Sequence, residues 1–267
     1  MILRHIDFQV PDWGEMDAGP TTRPGYFDEM LADHPASAWR FDEAAGSVVA
    51  DSVNNRDLSL AGGYALGESG PLAFDPATAV AFDGIDGFAS FADPSVLSGL
   101  PACTVTFWLR FDEPAVTDDH AILSSWQAGE NGLLIWIDQV ASHSGRPRTL
   151  SFAIATSPGG GQVGRVEGPT DLIRSGQWDF YACVFDGGAT LAIYRGSADE
   201  SVSLKMLASG VVAATPELTH PIHIASTLSP AAIGHLPGGL ANLAVYHQAL
   251  PLHRLQAQLN AGVGRWA

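Results

Sequence analysis

Lysine is almost missing from these 267 residues. Lys205 is the single one, and 13 bases face 29 acids for a formal charge of −16. A field of that sign repels phosphate backbones and anionic lipid, which argues against nucleic acid and membrane surfaces as partners. The same acidity either keeps a lysine-poor chain soluble or recruits cations or a basic partner. No apolar run approaches the ~20 residues that span a bilayer. The opening, Met-Ile-Leu-Arg-His-Ile-Asp-Phe, interrupts its first apolar stretch with charge and lacks the long hydrophobic core of a signal peptide. Cysteine is scarce too. Cys103 and Cys183 fall in predicted strands, as buried thiols or as a disulfide, and their spacing offers no zinc motif.

Catalytic signatures are also wanting. The Glu-x-Asp-x-Glu run that would space an acid and a nucleophile along a strand does not occur. Asp42-Glu43 and Asp118-Asp119 are adjacent pairs, which a strand would point to opposite faces, so they read as solvated turns. There is no Gly-x-Ser-x-Gly elbow and no phosphate loop. Gly159-Gly-Gly-Gln-Val-Gly164 fits a dinucleotide fingerprint in letters only, because Arg165-Val-Glu-Gly-Pro169 cannot continue as the helix that a pyrophosphate needs. His220-Pro-Ile-His223 brackets a proline and lacks the helical spacing of a zinc protease. The chain is expected not to be an enzyme.

What is abundant is punctuation. Gly 29 and Pro 17 are scattered through a chain that is 46% hydrophobic, the pattern of many short strands and turns. Residues 1–24 read as an arm with Pro11, Pro20 and Pro24. Residues 24–34 read as a short helix with Tyr26, Phe27, Met30 and Leu31 on one side. From Ser37 the period becomes two. Strands are expected at 37–41, 58–60, 79–82, 88–91, 104–111, 121–126, 133–137, 150–155, 177–185, 190–194, 203–208, 222–225 and 240–246, with a shorter piece near 232–234. A long connection separates Leu60 from Pro76, and Asp186-Gly187-Gly188 is a hairpin signal. Leu252, Leu255 and Leu259 then mark a closing amphipathic helix. Without strand–helix alternation, a doubly wound sheet is disfavoured. The expected fold is an all-β antiparallel jelly-roll sandwich with short flanking helices, an arm at 1–24 and one domain at 25–267.

The order of several segments adds a resemblance. Tyr26-Phe-Asp-Glu-Met-Leu through Trp39-Arg-Phe-Asp-Glu-Ala-Ala-Gly46, Asp51-Ser-Val-Asn-Asn and Val80-Ala-Phe-Asp-Gly-Ile-Asp-Gly-Phe88 resemble the opening of bacterial and phage laminin-G-like domains, of the concanavalin A-like lectin/glucanase type. Cys103-Thr-Val-Thr-Phe-Trp-Leu109, Gln177-Trp-Asp-Phe-Tyr-Ala-Cys-Val-Phe-Asp-Gly187 and Gly238-Gly-Leu-Ala-Asn-Leu-Ala-Val-Tyr246 resemble its later strands. The resemblance places Trp39, Trp108 and Trp178 in or near the core and leaves Trp126 and Trp136 open. It implies a rim calcium as cofactor, with Asp51, Asn54 and Asp83 as oxygen ligands. The alternative is that these side chains hydrogen-bond their own turns. Ala241 and Asn242 depart from the family's acidic pair in the last strand.

The implied role is a virion protein of a tailed phage or phage-like particle. The sandwich would face a host-surface glycan or decorate the shell or tail, and the arm at 1–24 would dock on other virion proteins. Homo-oligomerisation is expected with it. Missing export signal and sequons fit a particle released by lysis. The other reading is a free bacterial carbohydrate-binding module or adhesin, using rim loops near Asp51, Asp83 and Gly159.

Overall fold

The period of two that begins at Ser37 folds as strands in two facing antiparallel sheets. The computed structural model describes residues 24–112, 118–126, 132–138, 147–155, 163–187, 190–197, 204–211, 220–228, 230 and 233–265. Residues 1–23 of the expected arm and the glycine run at 159–161 lie outside the described residues.

In chain order come helix α1 (Tyr26–Ala32), β1 (Ser37–Trp39), β2 (Val48–Val49), β3 (Leu58–Ala61), β4 (Tyr64–Glu68), β5 (Ala79–Asp83), β6 (Phe88–Phe91) and β7 (Cys103–Phe111). Then follow β8 (His120–Ser124), β9 (Gly132–Asp138), β10 (Thr149–Ala155), β11 (Val163–Glu167) and β12 (Trp178–Phe185). The rest is β13 (Thr190–Ser197), β14 (Lys205–Val211), β15 (Ile222–Ile224), β16 (Pro237–Tyr246) and α2 (Leu252–Gly262). The first sheet runs β14-β13-β12-β7-β16-β5-β4, with β1 also paired to β16. The second runs β11-β10-β9-β8-β15-β6-β3-β2. This is the expected antiparallel jelly-roll sandwich.

Alternation puts one side of each sheet into a shared core. Val105, Phe107, Leu109 and Phe111 of β7 meet Leu133, Ile135 and Ile137 of β9 and Phe152 of β10 in one apolar cluster. Trp39 is fully buried there, and its indole N–H donates to Arg56 O at 2.8 Å. Cys103 and Cys183 are free and buried in the same cluster, and burial pushes the Cys103 thiol up to about 12.

The outer side of the first sheet is covered by the helices. Ala182, Ala241 and Ala244 present little bulk there, so Tyr26 and Met30 of α1 and Leu255 and Leu259 of α2 settle onto Trp108 and Phe180. Asp33 locks that layer: its carboxylate accepts from Arg254 Nε at 2.6 Å and from Gln258 Nε2 at 2.7 Å. Asn242, fully buried with φ 50°, sits within a register shift of β16 against β7. On either side of it β16 changes its other neighbour, from β5 at residues 237–240 to β1 at 243–245.

Four readings need correcting. The stretch expected as a long connection contains β4, whose ladder with β5 shifts between Ala65 and Glu68. Residues 163–167 are a strand, β11, which the expected set of strands lacks. Among the described residues, the piece near 232–234 contributes a bridge from Gly234 to His120 in place of a strand. Asp119 is 4% exposed instead of solvated, because its carbonyl accepts from Gly234 N and ties that segment down.

Candidate functional site

The aspartates singled out from the sequence lie in turns whose geometry they themselves hold. Asp51 Oδ1 accepts from the N–H groups of Ala38 and Val53, both at 3.0 Å. Asn54 Nδ2 donates to Ala36 O at 2.7 Å. Asp83 Oδ1 accepts from Ile85 N at 2.9 Å, Asp86 N at 3.2 Å and Gly87 N at 3.1 Å. Burial pushes the Asp83 carboxyl up, yet those three donors outweigh it, and the carboxyl stays below its ordinary value. Asp86 Oδ1 in turn accepts from Gly63 N at 2.7 Å. Gly63 has to be glycine, since a Cβ there would lie 1.9 Å from Asp83 Oδ2.

Asp51 and Asn54 share one turn, and Asp83 stands elsewhere. Asp51 bridges Trp39, which pairs with Leu243, whereas Asp83 pairs with Pro237. Six positions along β16 amount to about 20 Å. The three residues therefore do not form one calcium shell, whose oxygens would have to lie about 2.3–2.6 Å from the ion.

The second sheet offers a different arrangement. Neither helix packs on its outer side, and pairing registers align one row of side chains across seven of its strands. Ser59 pairs with Ser90, Ser90 with His223, and His223 with Ser124. Ser124 pairs with Leu134, Leu134 with Ala153, and Ala153 with Arg165. Six strand spacings make this row about 29 Å long. Each member points away from the inner cluster, to which the residues beside it in sequence (Leu58, Ala89, Ile222, Leu123, Ile135, Phe152 and Val166 among them) belong. Ser124, Leu134 and Ala153 are nonetheless buried, the last two with Trp136 and Ile233 in a second apolar cluster.

Rings flank the row at both ends. Phe88 stacks on His223 with centroids 5.3 Å apart and planes 3° from parallel. His235 approaches the same Phe88 at 6.3 Å, and its Nδ1 lies 3.1 Å from Gly87 O, beside the Asp83 loop. Burial, and then the neighbouring His235, hold the His223 ring below the ordinary histidine value, so it is neutral at pH 7. Trp126 is fixed by its backbone N–H, which donates to Ser124 Oγ at 3.0 Å. At the other end Arg165 lies over Trp136, 4.7 Å from the ring centroid. The guanidinium also holds Asp138 at 2.5 Å and Glu167 at 2.6 Å. Ser151, paired between Trp136 and Glu167, is small enough to leave room for it.

Sequence reading singled out none of Phe88, Ser90, Ser124, Asp138 or Arg165 as functional. It left Trp126 and Trp136 open, and both lie on this face. His223, set aside as a zinc ligand, is half-buried on an interior strand of the second sheet. Alternation marks these positions as outward-facing, but only strand pairing lines them up. A separate cleft of about 460 Å³ opens on the helix side, between Tyr26, Leu72, Phe74, Pro76 and Ala261. Its lining is mainly apolar, and its Asp75 is engaged by Arg40 at 3.2 Å.

Residues 83–255 match the laminin-G type of the concanavalin A-like lectin/glucanases superfamily. No curated protein matches the chain. Among solved structures, the binding domain of botulinum neurotoxin DC, in complex with rat synaptotagmin II, is 10% identical with a TM-score of 0.61, covering 86% of this chain and 52% of that one. The same neurotoxin domain in complex with SialylT is 11% identical with a TM-score of 0.60, covering 86% and 52%. The chain thus spans about half the length of these neurotoxin domains. Domain 4 of a GH43 extracellular arabinanase from Geobacillus stearothermophilus, in complex with arabinotriose, is 15% identical with a TM-score of 0.59, covering 84% of this chain and 98% of that one. At such identities the likeness is one of fold.

Proposed function

The chain belongs to the concanavalin A-like lectin/glucanases superfamily, and from that premise we propose that it is a non-catalytic recognition module that binds saccharide on the outer face of its second sheet. The observation that carries this reading is the register row from Ser59 to Arg165 on a face that neither helix covers. Exposed Ser59, half-buried Ser90 and the His223 imidazole lie there beside the half-buried Phe88 ring, a mixture of polar and stacking groups that a sugar's edges and CH faces require. The arabinanase domain, of similar size and fold, has arabinotriose bound, which supports the same ligand class here.

Binding without chemistry is supported by the face's two carboxylates. Asp138 and Glu167 are both held on the single guanidinium of Arg165. A glycosidase instead needs one carboxyl as acid and the other as nucleophile or base, on either side of a scissile bond.

The expected setting is the surface of a phage or phage-like particle. The motifs between Tyr26 and Tyr246 that resemble phage laminin-G-like domains support that setting, and mass spectrometry of purified particles without this protein would refute it. The recognition reading is tested on a printed glycan array that includes arabinotriose, followed by calorimetry on any hit. Binding of at least one oligosaccharide at millimolar affinity or better is expected. Uniform silence would refute the reading.

A further inference from the structure

The charge on the outer face of the second sheet narrows the ligand class. Arg165 is the one arginine or lysine among the described strand residues of that face. It already serves Asp138 and Glu167 and covers Trp136. A bound carboxylate or sulfate would have to compete with two carboxylates for one guanidinium. The chain as a whole, at −16, adds repulsion.

The other end of the row is aromatic and uncharged. Phe88 and His223 form a parallel stack, both half-buried, with Ser90 and Ser124 on either side of His223 in the register. His223 Nδ1 is buried and has no hydrogen-bond partner among the described residues, so the half-buried Ser90 paired beside it is the hydroxyl that a sugar at the stack would meet. The Asp83 carboxylate, which accepts from its own loop, lies beside this end and offers no positive charge to an anion.

We propose that the Phe88–His223 stack is the saccharide platform of this face and that the face selects uncharged sugars over those bearing carboxylate or sulfate. The proposal rests on the recognition reading above and gives it a location and a selectivity. A neutral sugar loses little by leaving water for a face of rings and hydroxyls. An acidic sugar would leave its charge unpaired at an end whose described strand residues carry no arginine or lysine, which costs more than a stacked ring returns.

The test uses the full chain at pH 7 on an array of neutral oligosaccharides (arabino-, xylo-, gluco- and galacto-series) printed beside sialylated, uronic-acid and sulfated ones. Binding confined to neutral members is expected. Phe88→Ala and His223→Ala should each weaken it by about tenfold, the loss of one stacking contact. His223→Phe, which keeps a ring on the stack, should keep most of it. Ser90→Lys puts a cation into the row next to His223 and should bring sialylated or sulfated members onto the hit list. Thermal melts of the four variants establish that each is folded.

Acidic glycans binding the unmodified chain as well as neutral ones would overturn the selectivity. Neutral binding that is indifferent to both alanine variants would overturn the platform while leaving the recognition reading in place. Silence of the whole array would remove that reading and the platform together.

Discussion

Asp33→Asn is expected to loosen both helices from the first sheet at once. Asp33 closes α1 with its backbone N–H, is 6% exposed, and its carboxylate receives Arg254 Nε at 2.6 Å and Gln258 Nε2 at 2.7 Å. Asparagine keeps the shape but removes the charge, and it turns either an amide donor or a weaker acceptor toward a guanidinium that can only donate. Removing one partner of a buried ion pair costs about 3–5 kcal/mol. Two features lower that figure. The Arg254 side chain is 28% exposed, and it retains Glu29 Oε2 at 2.7 Å. A net loss of about 2 kcal/mol remains, or about 4–8 °C in Tm for a chain of this size. Urea unfolding followed by near-ultraviolet circular dichroism would read it as a lower midpoint at unchanged slope. Pairing the variant with Arg254→Met completes a double-mutant cycle, and a coupling of about 1 kcal/mol or more is expected. A loss below about 0.5 kcal/mol, or strict additivity in the cycle, would show that apolar packing alone holds the helices.

The remaining predictions concern one hairpin and two titrating groups. Gly187→Ala should cost about 2 kcal/mol or more, because φ is 76° and the new Cβ would lie 1.8 Å from Pro101 O. Gly176→Ala, with φ 73° and open space around it, should cost about half as much; equal urea midpoints for the two would count against the clash. His223 has a folded-state value below that of the unfolded chain, so its contribution to stability is full above about pH 6.5 and is lost as pH falls through the lowered value. Asp83 is likewise depressed, and its contribution is present above about pH 4 and lost below that as the carboxyl protonates. His223→Phe should flatten the stability profile from about pH 6.5 down through the lowered His223 value and leave the acid limb of Asp83 intact; an unchanged slope in that upper window would contradict the assignment.

Much of the fold was legible because its segments carry local signals. Cys103–Phe111 alternates over nine residues, and Asp186-Gly187 supplies a turn that only glycine enters freely. The strand Tyr64–Glu68 was hidden for a physical reason. It is an edge strand with an irregular ladder, its side chains alternate between half-buried and exposed, and Gly62, Gly63 and Gly67 interrupt the period. Val163–Glu167 is the other sheet's edge, where one face of a short strand carries Arg165 and Glu167 in place of apolar residues. Edge strands bury less, so the hydrophobic pattern that reveals interior strands fades in them.

The site was far less legible, and its chemistry explains why. Aspartate in a glycine-rich turn is both the residue that caps a loop and the residue that binds a hard cation, so Asp51 and Asp83 invite either reading from sequence. Geometry separates the two roles: Asp83 Oδ1 is already taken by three N–H groups, and Asp51 stands about 20 Å along β16 from it. Ser59, Ser90 and Ser124 carry the opposite ambiguity. Outward serine on a strand is commonplace, and these three are far from one another in the chain. They become a single row only because β3, β6, β15 and β8 are hydrogen-bonded neighbours in a fixed register. A slip of a single residue in any of those ladders would turn a serine inward and bring a core side chain out. The apolar alternation of Leu58, Ala89, Ile222 and Leu123, which stabilises the core, is therefore also what aligns the polar row on the opposite side.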